Sequence, residues 1–283
     1  MRYERTKGNT SYQHYADVTS ALTHPMTNEQ NAAYYDESVL NESRSSTWYG
    51  DRCGNGNGAL NIVDKGWKKG LKRAHDEHID KIALPTLPNI KRKRIRADRG
   101  DSLDIHRVYS GDLSRAWQTT KKHPKATHTG GKVTLFLNYA MVATEESDNL
   151  FWRGALAAVL IDHLEKTGRR VQLVCFSATH RHMANDSDQK LVASLVVKAF
   201  HQPMSLDKLF SVAAFAGFFR VVGFRMILNQ SGRVTATLGT KDATKLPLIA
   251  EDDNNGTCVM IDEDVRSRHD MEREMERIFG MFM

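Results

Sequence analysis

Hydrophobic and polar positions fall into three regimes along the chain. Residues 1–48 are polar, rich in Asn, Ser, Thr, Tyr and His, with no sustained apolar period, which predicts an irregular or loosely helical arm outside the core. Residues 60–82 place Val63, Trp67, Leu71 and Ala74 at helical spacing, with Gly66 and Gly70 interrupting the pattern. From Gly131 the order improves. Residues 132–139 (KVTLFLNY) and 170–177 (RVQLVCFS) read as strands, and 147–167 as a helix with Leu150, Leu156, Val159, Leu160 and Leu164 inward, closed by Gly168 as a left-handed cap. Strand, helix and strand at these lengths predict a right-handed βαβ unit with parallel strands.

Further on, 178–189 reads as a polar loop, 191–200 as a strand, and 205–216 as a helix with Ser205 as its N-cap. Residues 218–228 fit helix or strand. Residues 234–238 and Thr257–Ile261 read as short strands, and 264–282 as an amphipathic helix carrying Met271, Met275, Ile278 and Phe282 on one face. The expected organisation is a polar arm over 1–60, a basic helical and extended segment over 61–130, a layered α/β core over 131–262 and a C-terminal helix over 263–283.

Composition narrows the class. The 283 residues are 40% hydrophobic and 26% charged, which excludes collagen-like, wholly disordered and disulfide-dense chains. Three widely spaced cysteines, Cys53, Cys175 and Cys258, argue against a disulfide framework or a zinc site and for a reducing compartment. No apolar run reaches the ~18 residues of a membrane span, and no apolar stretch follows the charged N-terminus as a secretory signal would require.

Charge is unevenly placed along the chain. The 40 Lys and Arg exceed the 34 Asp and Glu, for a net charge of +6, and the excess is regional. Between Lys65 and Lys132 there are about eighteen basic residues against about seven acidic ones. Lys68, Lys69, Lys72 and Arg73 follow Trp67, and Lys91, Arg92, Lys93, Arg94 and Arg96 come next. Cations that replace phosphate counterions, beside a ring on which bases stack, are what single-stranded nucleic acid requires. The alternative is a solvated basic face with Trp67, which falls on the apolar stripe, packed in the core. Arg220 and Arg225, among Phe218, Phe219 and Phe224, form a second candidate with the same alternative.

Other chemistry finds less support. Gly54, Gly56 and Gly58 precede a helix, but no strand leads in and no Lys-Ser or Lys-Thr follows, so a loop leading into a helix outweighs a phosphate cradle. His75 and His78 share a helix face but have only Asp76 and Glu77 between them and no nearby Cys. His180 and His182 flank Arg181 in the loop, where a loose phosphate contact is one reading. Asp262 and Asp264 read as a solvated strand end, and Glu145 and Glu146 as surface charge. No nucleophile, base and orienting group can be placed together, so the chain is expected to be no enzyme and to need no cofactor or metal. The acidic C-terminal third ends in an apolar tip, Ile278 to Met283, which reads as a helix docked on the sheet or on a second subunit, making a homo-oligomer one expectation.

Several elements in order carry a resemblance: Gly66, Trp67 and Gly70; GDSLDIHRVYSGD from Gly100; WRGALAAVLIDHLEKTGRRVQL from Trp152; VVKAFHQPMSLDKL from Val196; and FFRVVGF from Phe218. Together they resemble a family of uncharacterised bacteriophage proteins with a von Willebrand A-like or Rossmann-like α/β core. The resemblance implies a phage origin, action in the host cytoplasm and this layered fold. Such domains, when they hold a metal, use Asp-x-Ser-x-Ser after the first core strand. Here Asn138, Ala140 and Val142 stand in those places, which implies a lost metal site. Size, a basic middle and an acidic C-terminus are also similar to the single-stranded-DNA-binding transcription cofactors of podoviruses. The expected function is therefore a nucleic-acid-binding accessory of transcription or replication that prefers single-stranded DNA and works beside a phage or host RNA polymerase. The alternative is a metal-less von Willebrand A-like adaptor for a phage ATPase or host protein.

Overall fold

A computed structural model describes residues 2–7, 10–79, 82, 84, 87, 92–97, 102–103, 105–110, 112, 115, 117–122, 131–141, 145–182, 188–231, 256–262 and 264–283. The chain opens with strands β1 (Arg2–Lys7) and β2 (Thr10–Tyr15). Short helices follow: α1 (Val18–Thr23), α2 (Glu29–Tyr34), which widens into a π-helical stretch over Tyr35–Asn41, and α3 (Ser46–Tyr49). Next come α4 (Gly56–Lys65), α5 (Lys68–Asp76), β3 (Arg92–Ala97), β4 (Ser102–Leu103), α6 (Ile105–Tyr109) and β5 (Trp117–Lys122). The central segment is β6 (Lys132–Asn138), α7 (Ser147–Lys166), β7 (Arg170–His182) and β8 (Asp188–Lys198). Helices α8 (Leu206–Leu209), α9 (Ala216–Phe218) and α10 (Phe224–Ser231) are joined by π-helical turns at Phe210–Ala214 and Phe219–Gly223. Strand β9 (Thr257–Ile261) and helix α11 (Arg268–Gly280) finish the chain.

Two sheets result. The larger has the order β1-β2-β8-β7-β6-β9 and the smaller β3-β5-β4. Strand β6 lies parallel to both β7 and β9, so β6, α7 and β7 form the expected βαβ unit and β9 is an edge strand. Strands β7 and β8 run antiparallel as a long hairpin over much of the stretch expected as a loop, and the register sets His180 against Lys190 and His182 against Asp188. The large sheet buries apolar side chains on both faces. Leu135, Leu137, Leu173, Cys175 and Leu195 meet the helices, while Phe136, Val174, Phe176 and Val192 form a second cluster with Tyr12. Burial on both sides is the usual state of parallel strands and explains why β6 and β7 read as nearly continuous apolar runs.

Helix α7 is buried on nearly all sides, from Leu150 through Ile161. A Cβ on Gly154 would come within 2.4 Å of the Ala214 Cβ, so this glycine is what allows α7 to touch the 210–214 turn. The α7 terminus is closed by Gly168 at φ +87°, with Gly168 N–H donating to the Glu165 carbonyl and Arg169 N–H to that of Leu164. Ser205 accepts from the Lys208 amide as the expected N-cap. The 218–228 stretch is helical. Its periodicity is uninformative because Phe218, Phe219, Val221, Val222, Met226, Ile227 and Leu228 are all buried, so no polar face remains to betray the period. Among the described residues no single helix is long and apolar enough to cross a membrane. The 234–238 strand expectation lies outside the described residues.

The polar N-terminal segment is not outside the core. Strand β2 pairs in parallel with β8, and Tyr15, Ala21, Tyr35, Val39, Tyr49 and Ala59 join the main hydrophobic cluster. Hydropathy misses this because the segment's polar groups are buried with partners. Gln13 Oε1 accepts from the Tyr15 hydroxyl at 2.8 Å, Asn31 Nδ2 donates to the Leu228 carbonyl at 2.8 Å, and Gln230 Nε2 donates to the Ser11 carbonyl at 2.7 Å. A paired polar group costs little to bury, so a core strand need not be apolar.

One consequence is pH dependence at the β2/β8 seam. His14 Nδ1 lies 3.0 Å from Ser194 Oγ, and burial pushes the imidazole down to about 4. The folded protein thus stays neutral at His14 where the unfolded chain, titrating near 6.5, takes up a proton. Stability should be nearly full above about pH 7 and fall by about 2 kcal/mol by pH 5 and about 3 kcal/mol by pH 4. Urea unfolding of wild type and His14→Gln at pH 7.5 and pH 5 checks this: the variant should lose less on acidification.

Candidate nucleic-acid interface

The expected site spans two elements, and the structure treats them differently. The helix half begins at a break: Gly66, at φ +83°, ends α4 and turns the chain so that α5 starts afresh, in place of one helix over 60–82. Trp67, only 5% exposed, sits in that corner. Its ring packs 5.1 Å from Phe215 and 6.4 Å from Phe151, its amide donates to Ser211 Oγ, and its Nε1 donates to Asp51 Oδ2 at 2.9 Å. Gly70 lies against the same ring, where a Cβ would meet it at 2.1 Å. The Gly-Trp-x-x-Gly element is therefore a packing device, and Trp67 presents no face to a base.

The helix cations are largely engaged by the protein's own carboxylates. Lys68 Nζ lies 2.9 Å from Asp207 Oδ1 and Lys69 Nζ 3.5 Å from Asp51 Oδ1. Arg73 makes a two-pronged contact with Asp148, at 2.8 and 3.1 Å, and its guanidinium lies 4.0 Å over the Phe151 ring. Lys72 is exposed. Exposed ion pairs are worth ~0–1 kcal/mol each, so they do not lock these side chains, but Asp51, Asp148 and Asp207 cancel the local field. The second cationic-aromatic candidate is internal. Phe218, Phe219 and Phe224 are buried, and Arg220 is 1% exposed and packs 4.6 Å over Trp48. Burial pushes the Arg220 guanidinium down to about 10. Arg225 donates to the His24 carbonyl at 2.9 Å.

The extended half concentrates charge. Arg92, Lys93, Arg94 and Arg96 lie in β3, which pairs antiparallel with β5, and Lys91 lies outside the described residues. The register sets Arg92 opposite Lys122, Lys93 opposite Lys121, Arg94 opposite Thr120 and Arg96 opposite Gln118. Neither strand contains an acidic residue: their sequences are RKRIRA and WQTTKK. Like charges directly opposite each other destabilise a strand pair by a few tenths of a kcal/mol or more. Two such rungs stand in succession here, Arg92 with Lys122 and Lys93 with Lys121. The β5 half of this ribbon escapes a reading by hydropathy, although Gln, Thr, Thr, Lys and Lys after a Trp is a polar strand pattern.

At the C-terminal end of β6, where layered α/β sheets place ligands, a guanidinium fills the space. Arg153, wholly buried on α7, donates through Nη1 to the Ala140 carbonyl at 3.0 Å and the Asn138 carbonyl at 3.3 Å, and through Nη2 to Glu145 Oε1 at 2.7 Å. Asn138 Oδ1 in turn accepts from the Ala140 amide, and Arg220 donates to the Glu145 carbonyl at 2.9 Å. Glu145, expected as surface charge, is thus the inner partner of a buried ion pair with a 5% exposed side chain. Its burial is set by Arg153, eight residues away, which no local pattern announces. Val142 lies outside the described residues. Asp262 follows β9 and Asp264 is exposed, and His75 and His78 are exposed on and just after α5.

A family model described as a domain of unknown function (DUF7192) matches residues 3–282. No curated protein and no solved structure matches the chain.

Two substitutions test this geometry. Gly70→Ala, which would favour an exposed helix, should instead destabilise the protein by about 1–3 kcal/mol because the new methyl drives into the Trp67 ring; the shift in urea midpoint reads it. Arg153→Met should cost about 3–5 kcal/mol by stranding the Glu145 carboxylate, and adding Glu145→Gln should recover part of that loss in the same assay.

Proposed function

The chain belongs to this family of unknown function, and we propose that it is a non-enzymatic nucleic-acid-binding protein whose contact surface is the β3/β5 ribbon, acting as an accessory to transcription or replication. The observation that supports this reading is the pair of facing cationic rungs, Arg92 with Lys122 and Lys93 with Lys121, in strands without a carboxylate. A phosphate backbone relieves that repulsion and releases its own counterions in doing so. Trp67 and the α5 cations drop out of the proposed surface, and with Trp67 goes the stacking ring that favoured a single strand. Binding through the ribbon is chiefly electrostatic, so it weakens steeply with salt, by ~0.7–0.9 in the logarithmic slope for each phosphate neutralised.

A second reading rests on a different observation. An open cavity of about 390 Å³ lies between α5, α7 and α8, lined by Leu71, Ala74, Ile79, Val159, Met204 and Phe210, with Leu206 47% exposed beside it. An apolar recess of that size suits an adaptor that holds a protein partner, such as an ATPase or polymerase subunit.

Fluorescence anisotropy with a labelled oligonucleotide across a salt series separates the two. Wild type should bind with affinity that falls as salt rises. Replacing Arg92, Lys93, Lys121 and Lys122 by Gln should weaken binding at least tenfold near physiological salt and flatten the slope by about one for each phosphate no longer neutralised. Replacing Lys68, Lys69 and Lys72 by Gln should change affinity less than threefold. Salt-independent binding, or a ribbon variant that binds like wild type, would sink the nucleic-acid reading. A stoichiometric protein captured after nuclease treatment, with no nucleic acid retained, would favour the adaptor.

A further inference from the structure

The register of the small sheet separates two kinds of residue. Positions that face each other in an antiparallel pair share a face, and successive positions alternate. Positions 92, 94 and 96 of β3 therefore share one face with 118, 120 and 122 of β5, and Ser102 of β4 joins them opposite Gln118. Those positions are Arg92, Arg94, Arg96, Gln118, Thr120 and Lys122, every one a cation or a hydrogen-bonding group. The other face groups Ile95, Ala97, Trp117 and Leu103, with Lys93, Lys121 and Thr119 toward one end. The sheet is amphipathic in the way a strand layer is when one side packs and the other meets a polar partner.

Length and width bear on what that partner is. Among the described residues β4 pairs with Gln118 and Trp117 alone, so residues 92–95 and 119–122 form a two-stranded ribbon. Strands ~4.8 Å apart fit within a major groove ~12 Å wide, which admits a two-stranded ribbon, and six residues span ~20 Å. The groove floor presents base edges to Arg, Gln and Thr, while the cationic rungs at the ribbon end meet phosphates. A single strand needs a stacking ring within the polar face, and the ribbon's one aromatic, Trp117, holds a register position on the other face from Gln118 and Thr120.

From this juxtaposition we infer that the ribbon enters the major groove of double-stranded DNA with the 92/94/96–118/120/122 face toward the bases. The inference rests on the nucleic-acid reading above and specifies its substrate as duplex. Arg94 opposite Thr120 and Arg96 opposite Gln118 are the rungs placed to read sequence: Arg bonds guanine in two-pronged fashion and Gln bonds adenine. Arg92 and Lys122 anchor the backbone.

The test compares a labelled 24-base-pair duplex with each of its separated strands in anisotropy titrations at one salt concentration. It then selects bound sequences from a random duplex pool. The duplex should bind at least tenfold tighter than either strand, and selection should enrich a short motif. In Arg96→Ala and Gln118→Ala, circular dichroism and urea midpoint first establish that each variant folds as wild type. Both should then flatten the motif at one or two positions while affinity for unselected duplex falls less than about tenfold. A charge change off the ribbon, Lys72→Gln, should leave the motif intact. Equal or tighter binding of a single strand overturns the duplex inference and leaves the nucleic-acid reading standing. Binding to neither overturns both. A motif unchanged in both variants overturns the assignment of the reading face.

Discussion

One buried guanidinium organises the centre of the molecule. Arg153 takes the carbonyls with which the central strand leaves the sheet, holds the Glu145 carboxylate on the loop that follows, and belongs to the helix that this loop delivers. Removing a charge from water costs several kcal/mol, and close partners offset it. Here two carbonyls and a carboxylate are among them. The ion pair thereby fixes where α7 begins, and the next residue, Gly154, fixes how closely α7 meets the 210–214 turn. Arg220, from the helical layer, donates to the same loop, so sheet, loop and helices share one polar joint.

This joint also gives the end of the sheet its character. In layered α/β folds the space beyond the strand ends is where ligands collect, because loops diverge there and leave polar backbone exposed. In this protein the polar backbone of Asn138 and Ala140 is already occupied by an internal cation. The proposed contact surface lies elsewhere, on the small second sheet, whose two longer strands read RKRIRA and WQTTKK.

What can be read from the sequence follows from contrast. Strands β6 and β9 and helix α7 stand out because apolar runs end sharply at Gly, Asn or Asp, and Ser205 and Gly168 punctuate their helices as their chemistry requires. The N-terminal segment does not stand out, since half-buried His14 and buried Asn31 find partners as far away as β8 and Leu228, and such pairing leaves no local trace. At the site, the run from Lys91 to Arg96 is legible as a cationic strand. Its partner, Trp117 to Lys122, is not, because a strand of Gln, Thr and Lys has little hydrophobic signal. The burial of Trp67 has a visible warning. Gly70 three residues later, inside a helix, makes room for something bulky, and the bulky side chain within reach is the indole itself.

The parallel seam between β2 and β8 joins residues 180 positions apart, as His14 and Ser194 illustrate. During synthesis β2, which pairs with β1 on one side, therefore emerges long before β8 exists to cover its other edge. At ~5–20 residues per second the ribosome needs roughly 10–40 s to deliver β8, while β6, α7 and β7 form from contiguous chain. A tyrosine-bearing strand with an open edge is a hazard over such an interval, and the polar make-up of Thr10–Tyr15, with Gln and His where Val or Ile would serve the finished core, keeps the waiting segment hydrated until its place in the sheet is built.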